Sequence, residues 1–128
     1  MRFIRLLGAV VIFYGLSYFL HALLQIFSLM HTGISLLHPV VIVIDINITI
    51  GIVALVNGLG LILVQKWSRV AWLVSVTALL MFHNVVLLLT YLSGGNLTQQ
   101  ILNVILIFFL AVITWAKLGD DSSKQYFG

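Results

Sequence analysis

Few side chains in this sequence can do acid–base, ligand or nucleophile chemistry. There are four histidines, His21, His31, His38 and His83, and three acids, Asp45, Asp120 and Asp121. Cysteine and glutamate do not occur. Without cysteine there are no disulfides, thiol nucleophiles or thiolate metal sites. Three acids, two of them adjacent near the C-terminus, cannot supply the paired carboxylates of glycoside hydrolysis or of a di-iron centre. His21 and His83 could in principle offer axial ligands to a haem, and His31 with His38 part of a zinc or copper site. Neither set has the further ligands or the small neighbours that such a group needs. No cofactor and no metal is therefore expected, and no enzyme.

The composition says what must position these residues. Hydrophobic residues make up 62% of the 128 and charged residues only 7%. A soluble domain is about a quarter charged. So little charge cannot cover a water-facing surface, and the solvent for most of this chain is lipid. The net charge of +3 comes from six basic residues scattered in small groups, which does not suit nucleic acid.

A helical span needs roughly 20 apolar residues. Four stretches qualify, at about 3–30, 39–64, 70–92 and 98–118. The expected fold is an all-α membrane protein: a four-transmembrane-helix up-down bundle over residues 1–118 with very short loops. Residues 119–128 follow as a short cytoplasmic tail, and 120–128 is the one candidate for disorder. Pro39 suits a first helical turn, where its missing N–H costs nothing. Gln65 to Arg69 reads as a tight turn, and Ser93-Gly94-Gly95-Asn96 as another. Asn96 and Gln99 have capping-box spacing before the fourth helix, and Gly119 is placed to end it. The apolar run after Arg2 and Arg5 is too long for a signal peptide and lacks a small-residue cleavage site, so it reads as an uncleaved first helix.

Arg2, Arg5, Lys66, Arg69, Lys117 and Lys124 all fall on one side of such a serpentine. The positive-inside rule makes that side the cytoplasm, with both termini inside, in what is expected to be a bacterial inner membrane. Trp67, Trp72 and Trp115 lie near the same interface, as an aromatic belt would.

Two patterns mark the spans. Gly8, Gly15 and Ala22 repeat every seven residues, and Gly51, Ala54 and Gly58 share a face of the second helix with Asn47. In lipid such small residues let helix backbones approach closely. Tyr14, Tyr18, His21, Gln25 and Ser28 form a polar stripe on the first helix. With each span centred on the bilayer, His21, Asn47 and His83 lie about 4–8 Å toward the outer side and Asp45 about 10 Å. Gln25 and Asn84 fall in the same half. These six residues, His21, Gln25, Asp45, Asn47, His83 and Asn84, form a candidate outer polar layer. Asp45 stands out because an ionisable group in hydrocarbon is costly: it should face protein or water, be protonated, or, only two turns inside Pro39, reach the outer headgroups.

The four-span layout resembles that of small multidrug transporters, but those depend on a membrane-embedded glutamate in the first helix, which this chain lacks. It is also similar to proposed carriers of polyprenol-linked sugars at Arg2-Phe3 and from Asn57 to Trp67, without their basic-aromatic end to the second helix. No family is assigned. The leading expectation is a non-enzymatic helical bundle: an accessory subunit of a larger membrane complex, or a homo-oligomer, contacting lipid and other membrane chains or itself. The alternative is a carrier or channel component for a proton, small solute or lipid head group, using the polar layer around Asp45.

Overall fold

The computed structural model describes residues 2–32 and 39–127. Four helices dominate: α1 (Arg2–Thr32), α2 (Pro39–Ile62), α3 (Lys66–Leu92) and α4 (Thr98–Leu118), followed by a 3₁₀ helix at Asp121–Tyr126. Each α-helix contains a stretch long and apolar enough to cross a membrane. In lipid every backbone polar group must be satisfied within the segment, and an α-helix does this without outside help. Hydroxyls inside the spans obey the same constraint by donating to their own helix: Ser17 to the Tyr14 carbonyl, Thr49 to Asp45, Thr77 to Leu73 and Thr90 to Val86, at 2.6–2.8 Å.

The chain divides into two compact units, residues 1–64 and 65–128. Unit 1 is the α1–α2 hairpin, and its two small-residue stripes face each other. A Cβ on Gly8 would lie 2.7 Å from the Gly58 carbonyl oxygen and 2.9 Å from the Ile62 nitrogen. One on Gly15 would lie 2.9 Å from the Ala54 Cβ and 3.0 Å from the Gly51 oxygen. Contacts that rise along α1 fall along α2, so the pair is antiparallel. Ala22 and Ala54 are buried. This is the close backbone approach that small residues allow in lipid.

Unit 2 is the α3–α4 hairpin, with the 3₁₀ helix packed on α4. Larger side chains hold it. Trp72 Nε1 donates to Thr114 Oγ1 at 3.0 Å, and both residues are fully buried. Trp115 Nε1 donates to Thr77 Oγ1 at 2.9 Å, so the two helices exchange Trp–Thr bonds in both directions. Trp72 is therefore a core residue; Trp67 and Trp115 remain about half exposed, as a belt residue would be.

Two details of the connections differ from the sequence reading. Residues 66–69 form the first turn of α3, so the connection from α2 is shorter than the turn expected at 65–69. That connection carries Val64 at φ 53, a left-handed conformation costing a β-branched residue roughly 1–2 kcal/mol; its side chain is buried. At α4 no capping box forms. Asn96 Oδ1 accepts from the Thr98 N–H at 3.0 Å, while Gln99 pairs forward with Asn103 at 3.1 Å. The α3–α4 turn uses Gly94 at φ 75, where glycine carries no steric cost.

The C-terminal segment read as a candidate for disorder is folded back. Ser123 and Phe127 are buried. Arg69, also buried, donates from Nε to Ser123 Oγ at 2.8 Å and from Nη2 to the Asp120 carbonyl at 3.2 Å. The Ser123 hydroxyl lies 2.7 Å from the Asp120 carbonyl and 3.1 Å from that of Leu118, either of which can take its proton. A guanidinium with fixed hydrogen-bond geometry can order a short polar segment that composition alone would leave loose.

Candidate functional site

The polar residues of unit 1 divide into those used inside the hairpin and those left outside it. Asn47 Nδ2 donates to Gln25 Oε1 at 2.9 Å, with Asn47 buried and Gln25 half-buried. This bond continues the glycine seam beyond Gly51 and sets the level of α1 against α2. Interhelical hydrogen bonds of this kind contribute about 0.6–2 kcal/mol in a membrane. Lower on α1, the Tyr14 hydroxyl donates to that of Tyr18 at 3.3 Å, and their rings meet edge to face at 5.0 Å.

His21 and Asp45 are exposed, and among the described residues neither side chain has a hydrogen-bond or ionic partner. At about 100° per residue, Asp45 lies roughly 150° around α2 from the glycine seam. In unit 2, Asn84 is exposed and returns its amide to the Leu80 carbonyl at 2.7 Å, while His83 is buried. Of the six candidate residues, then, the structure brings together Gln25 and Asn47. Asp45 has none of the neighbours sought for it within unit 1.

Instead, Asp45 belongs to an exposed stripe. Ile42, Asp45, Thr49, Ile52, Val56 and Leu59 are all exposed and recur at alternating spacings of three and four along α2, and Leu63 just past its end continues the series. That period keeps one seam in line over several turns. A 24-residue helix is about 36 Å long against a hydrocarbon core of about 30 Å. Centred in the bilayer, it puts Asp45 about 6 Å inside the hydrocarbon boundary.

No three His or Asp residues gather as a metal site among the described residues. His38 lies outside the described residues, as does the whole α1–α2 connection. Two features escaped the sequence reading. The Arg69–Ser123 bond spans 54 positions and leaves no local signal. The Trp72–Thr114 pair is hidden by the tendency of tryptophan near a span end to signal the interface.

Four apolar helices, hydroxyls returned to their own backbones and a glycine-packed hairpin define an integral membrane protein. Comparison with known protein families, curated proteins and solved structures finds no match to the chain. Its function must be read from its own residues.

Proposed function

We propose that this is a non-enzymatic subunit of the bacterial inner membrane, with both termini in the cytoplasm, whose work is to contact other membrane chains. It acts either as an accessory subunit of a larger complex or as a homo-oligomer. The observation that carries this reading is the exposure of the Asp45 carboxylate within the α2 stripe. Leaving a carboxylate in hydrocarbon costs roughly 2.5–3.5 kcal/mol at a helix centre and less toward the interface. A neighbouring chain that covers the stripe removes that cost. The glycine seams do not serve this purpose, since each is filled by the other within unit 1.

Photo-reactive amino acids placed singly at Ile52, on the stripe beside an intact Asp45, and at His21 test the reading in native membranes. Discrete protein adducts are expected from Ile52. Lipid adducts alone at both positions would overturn it.

Orientation rests on the six basic residues and is tested by labelling. The native chain has no cysteine, so single introduced thiols are read without background. Ser93→Cys, in the exposed α3–α4 turn, should react with an impermeant reagent in intact cells. Gln125→Cys should react only after permeabilisation. Ser123 would be a misleading reporter, because its burial against Arg69 blocks reaction from either side. Labelling at Gln125 in intact cells, with none at Ser93, would reverse the orientation.

A further inference from the structure

We infer that Arg69 holds a phosphate group at the membrane boundary, on the edge of its guanidinium that the C-terminal segment leaves free. The observation concerns unit 2 alone and stands apart from the partner reading above. A guanidinium carries five N–H donors in one plane. The edge made by Nε–H and one Nη2–H is taken: Nε donates to Ser123 Oγ at 2.8 Å and Nη2 to the Asp120 carbonyl at 3.2 Å. The other edge is a parallel pair, one N–H from Nη1 and one from Nη2. Among the described residues nothing accepts from Nη1, and that nitrogen is not sealed from its surroundings. Such a pair fits two oxygens of one anion bidentately.

The charge calls for the same ligand. Arg69 is only 8% exposed, yet both of its acceptors are neutral. A buried charge without a counter-charge is costly. Its own helix offers none: the first turn of α3 contains no acid, and the N–H groups of a helix start add positive potential. Lys66, exposed three residues earlier, adds a second cation. An anion on the free pair offsets all of these at once. Position then selects phosphate. With 27 residues in α3, Arg69 lies about 15 Å from the middle of the helix. That is the edge of a hydrocarbon core about 30 Å thick, and the side chain leans further out, toward the helix N-terminus. Lipid phosphates begin at this level, and soluble phosphates reach it from the water. The bonds to Ser123 and Asp120 fix the plane of the guanidinium, so the free pair is oriented before a ligand arrives.

The test uses the full chain with ¹⁵N-labelled arginine in a sugar-based detergent, which contains no phosphate. The chain has three arginines, Arg2, Arg5 and Arg69, so the first two report non-specific attraction in the same nuclear magnetic resonance spectrum. One probe is dioctanoyl phosphatidylglycerol and the other is inorganic phosphate. The Arg69 Nη signals should move saturably, with Arg2 and Arg5 moving much less. A response to the lipid alone makes the ligand a headgroup; an equal response to inorganic phosphate makes it a soluble phosphate. Ser123→Ala leaves the free pair in place but lets the guanidinium turn. It should weaken binding by roughly two- to tenfold, the cost of immobilising one side chain. Asp121→Asn should leave the affinity unchanged. No Arg69 response to either probe, parallel shifts of all three arginines, or a response that appears only in Asp121→Asn would overturn the inference.

Discussion

Gly8→Leu is expected to unfold the α1–α2 hairpin at a much lower dodecyl sulfate concentration than the wild-type chain needs in mixed micelles. The first added carbon already lies 2.7 Å from the Gly58 oxygen and 2.9 Å from the Ile62 nitrogen. Both are backbone atoms of α2 and cannot rotate aside, so the helices must separate. Overpacking typically costs about 1–3 kcal/mol, and a leucine aimed at a backbone falls at the upper end or beyond. Alanine is the finer probe. Replacing glycine within a helix recovers up to about 1 kcal/mol of propensity, which offsets part of the clash. Gly51→Ala meets the Phe19 ring edge at 2.8 Å, and a ring can turn, with the nearest backbone atom at 3.2 Å; Gly8→Ala meets, besides the Ile62 side chain, two backbone atoms of α2 within 2.9 Å. Gly8→Ala should therefore lower the unfolding midpoint more than Gly51→Ala. The losses should appear in the isolated chain, because the contact is internal to unit 1. A wild-type midpoint for Gly8→Leu would mean that the seams do not face each other.

The stripes themselves were legible, because seven-residue spacing puts Gly8, Gly15 and Ala22 on one line of a helix and the same arithmetic groups Gly51, Ala54 and Gly58. What covers them was not legible. A small-residue stripe reads the same whether it faces its own hairpin or a neighbour, and the register linking Gly8 to Gly58 exists only in three dimensions. The polar residues divide for a similar reason. Depth along a span follows from counting residues at 1.5 Å each, so Gln25, Asp45 and Asn47 could be placed in one layer. Direction around the axis then separates them: Asn47 falls on the seam and meets Gln25, whereas Asp45 points away from α1. Charge misled most at residues 65–69. Lys66 and Arg69 mark a membrane boundary well, but a boundary need not be a loop, and the helix of unit 2 takes both into its first turn.

Arg69→Leu is expected to release the C-terminal segment while leaving α3 and α4 in place. A tail with the sequence Asp120-Asp121-Ser122-Ser123-Lys124 has too little apolar surface to order itself. Its order comes from two donations by one buried guanidinium and from the burial of Phe127. A hydrogen bond to a charged group contributes about 1.5–3 kcal/mol. Losing both bonds should raise the open fraction of the tail at least tenfold, about 1.4 kcal/mol. Cleavage of a transiently opened segment tracks that fraction when reclosing is fast. Limited trypsin digestion in mild detergent should therefore cut after Lys124 at least tenfold faster in Arg69→Leu than in the wild type. Arg69→Lys should not restore protection, since a single ammonium cannot place two donors in the fork that reaches Ser123 and the Asp120 carbonyl together. Ser123→Ala removes the acceptor of the Nε–H alone and should give an intermediate rate. Five of the six basic residues on which the proposed orientation rests remain in Arg69→Leu, so labelling at Ser93→Cys should be unchanged and any faster cleavage belongs to the tail. Equal cleavage rates in Arg69→Leu and wild type would show that the guanidinium does not hold the segment.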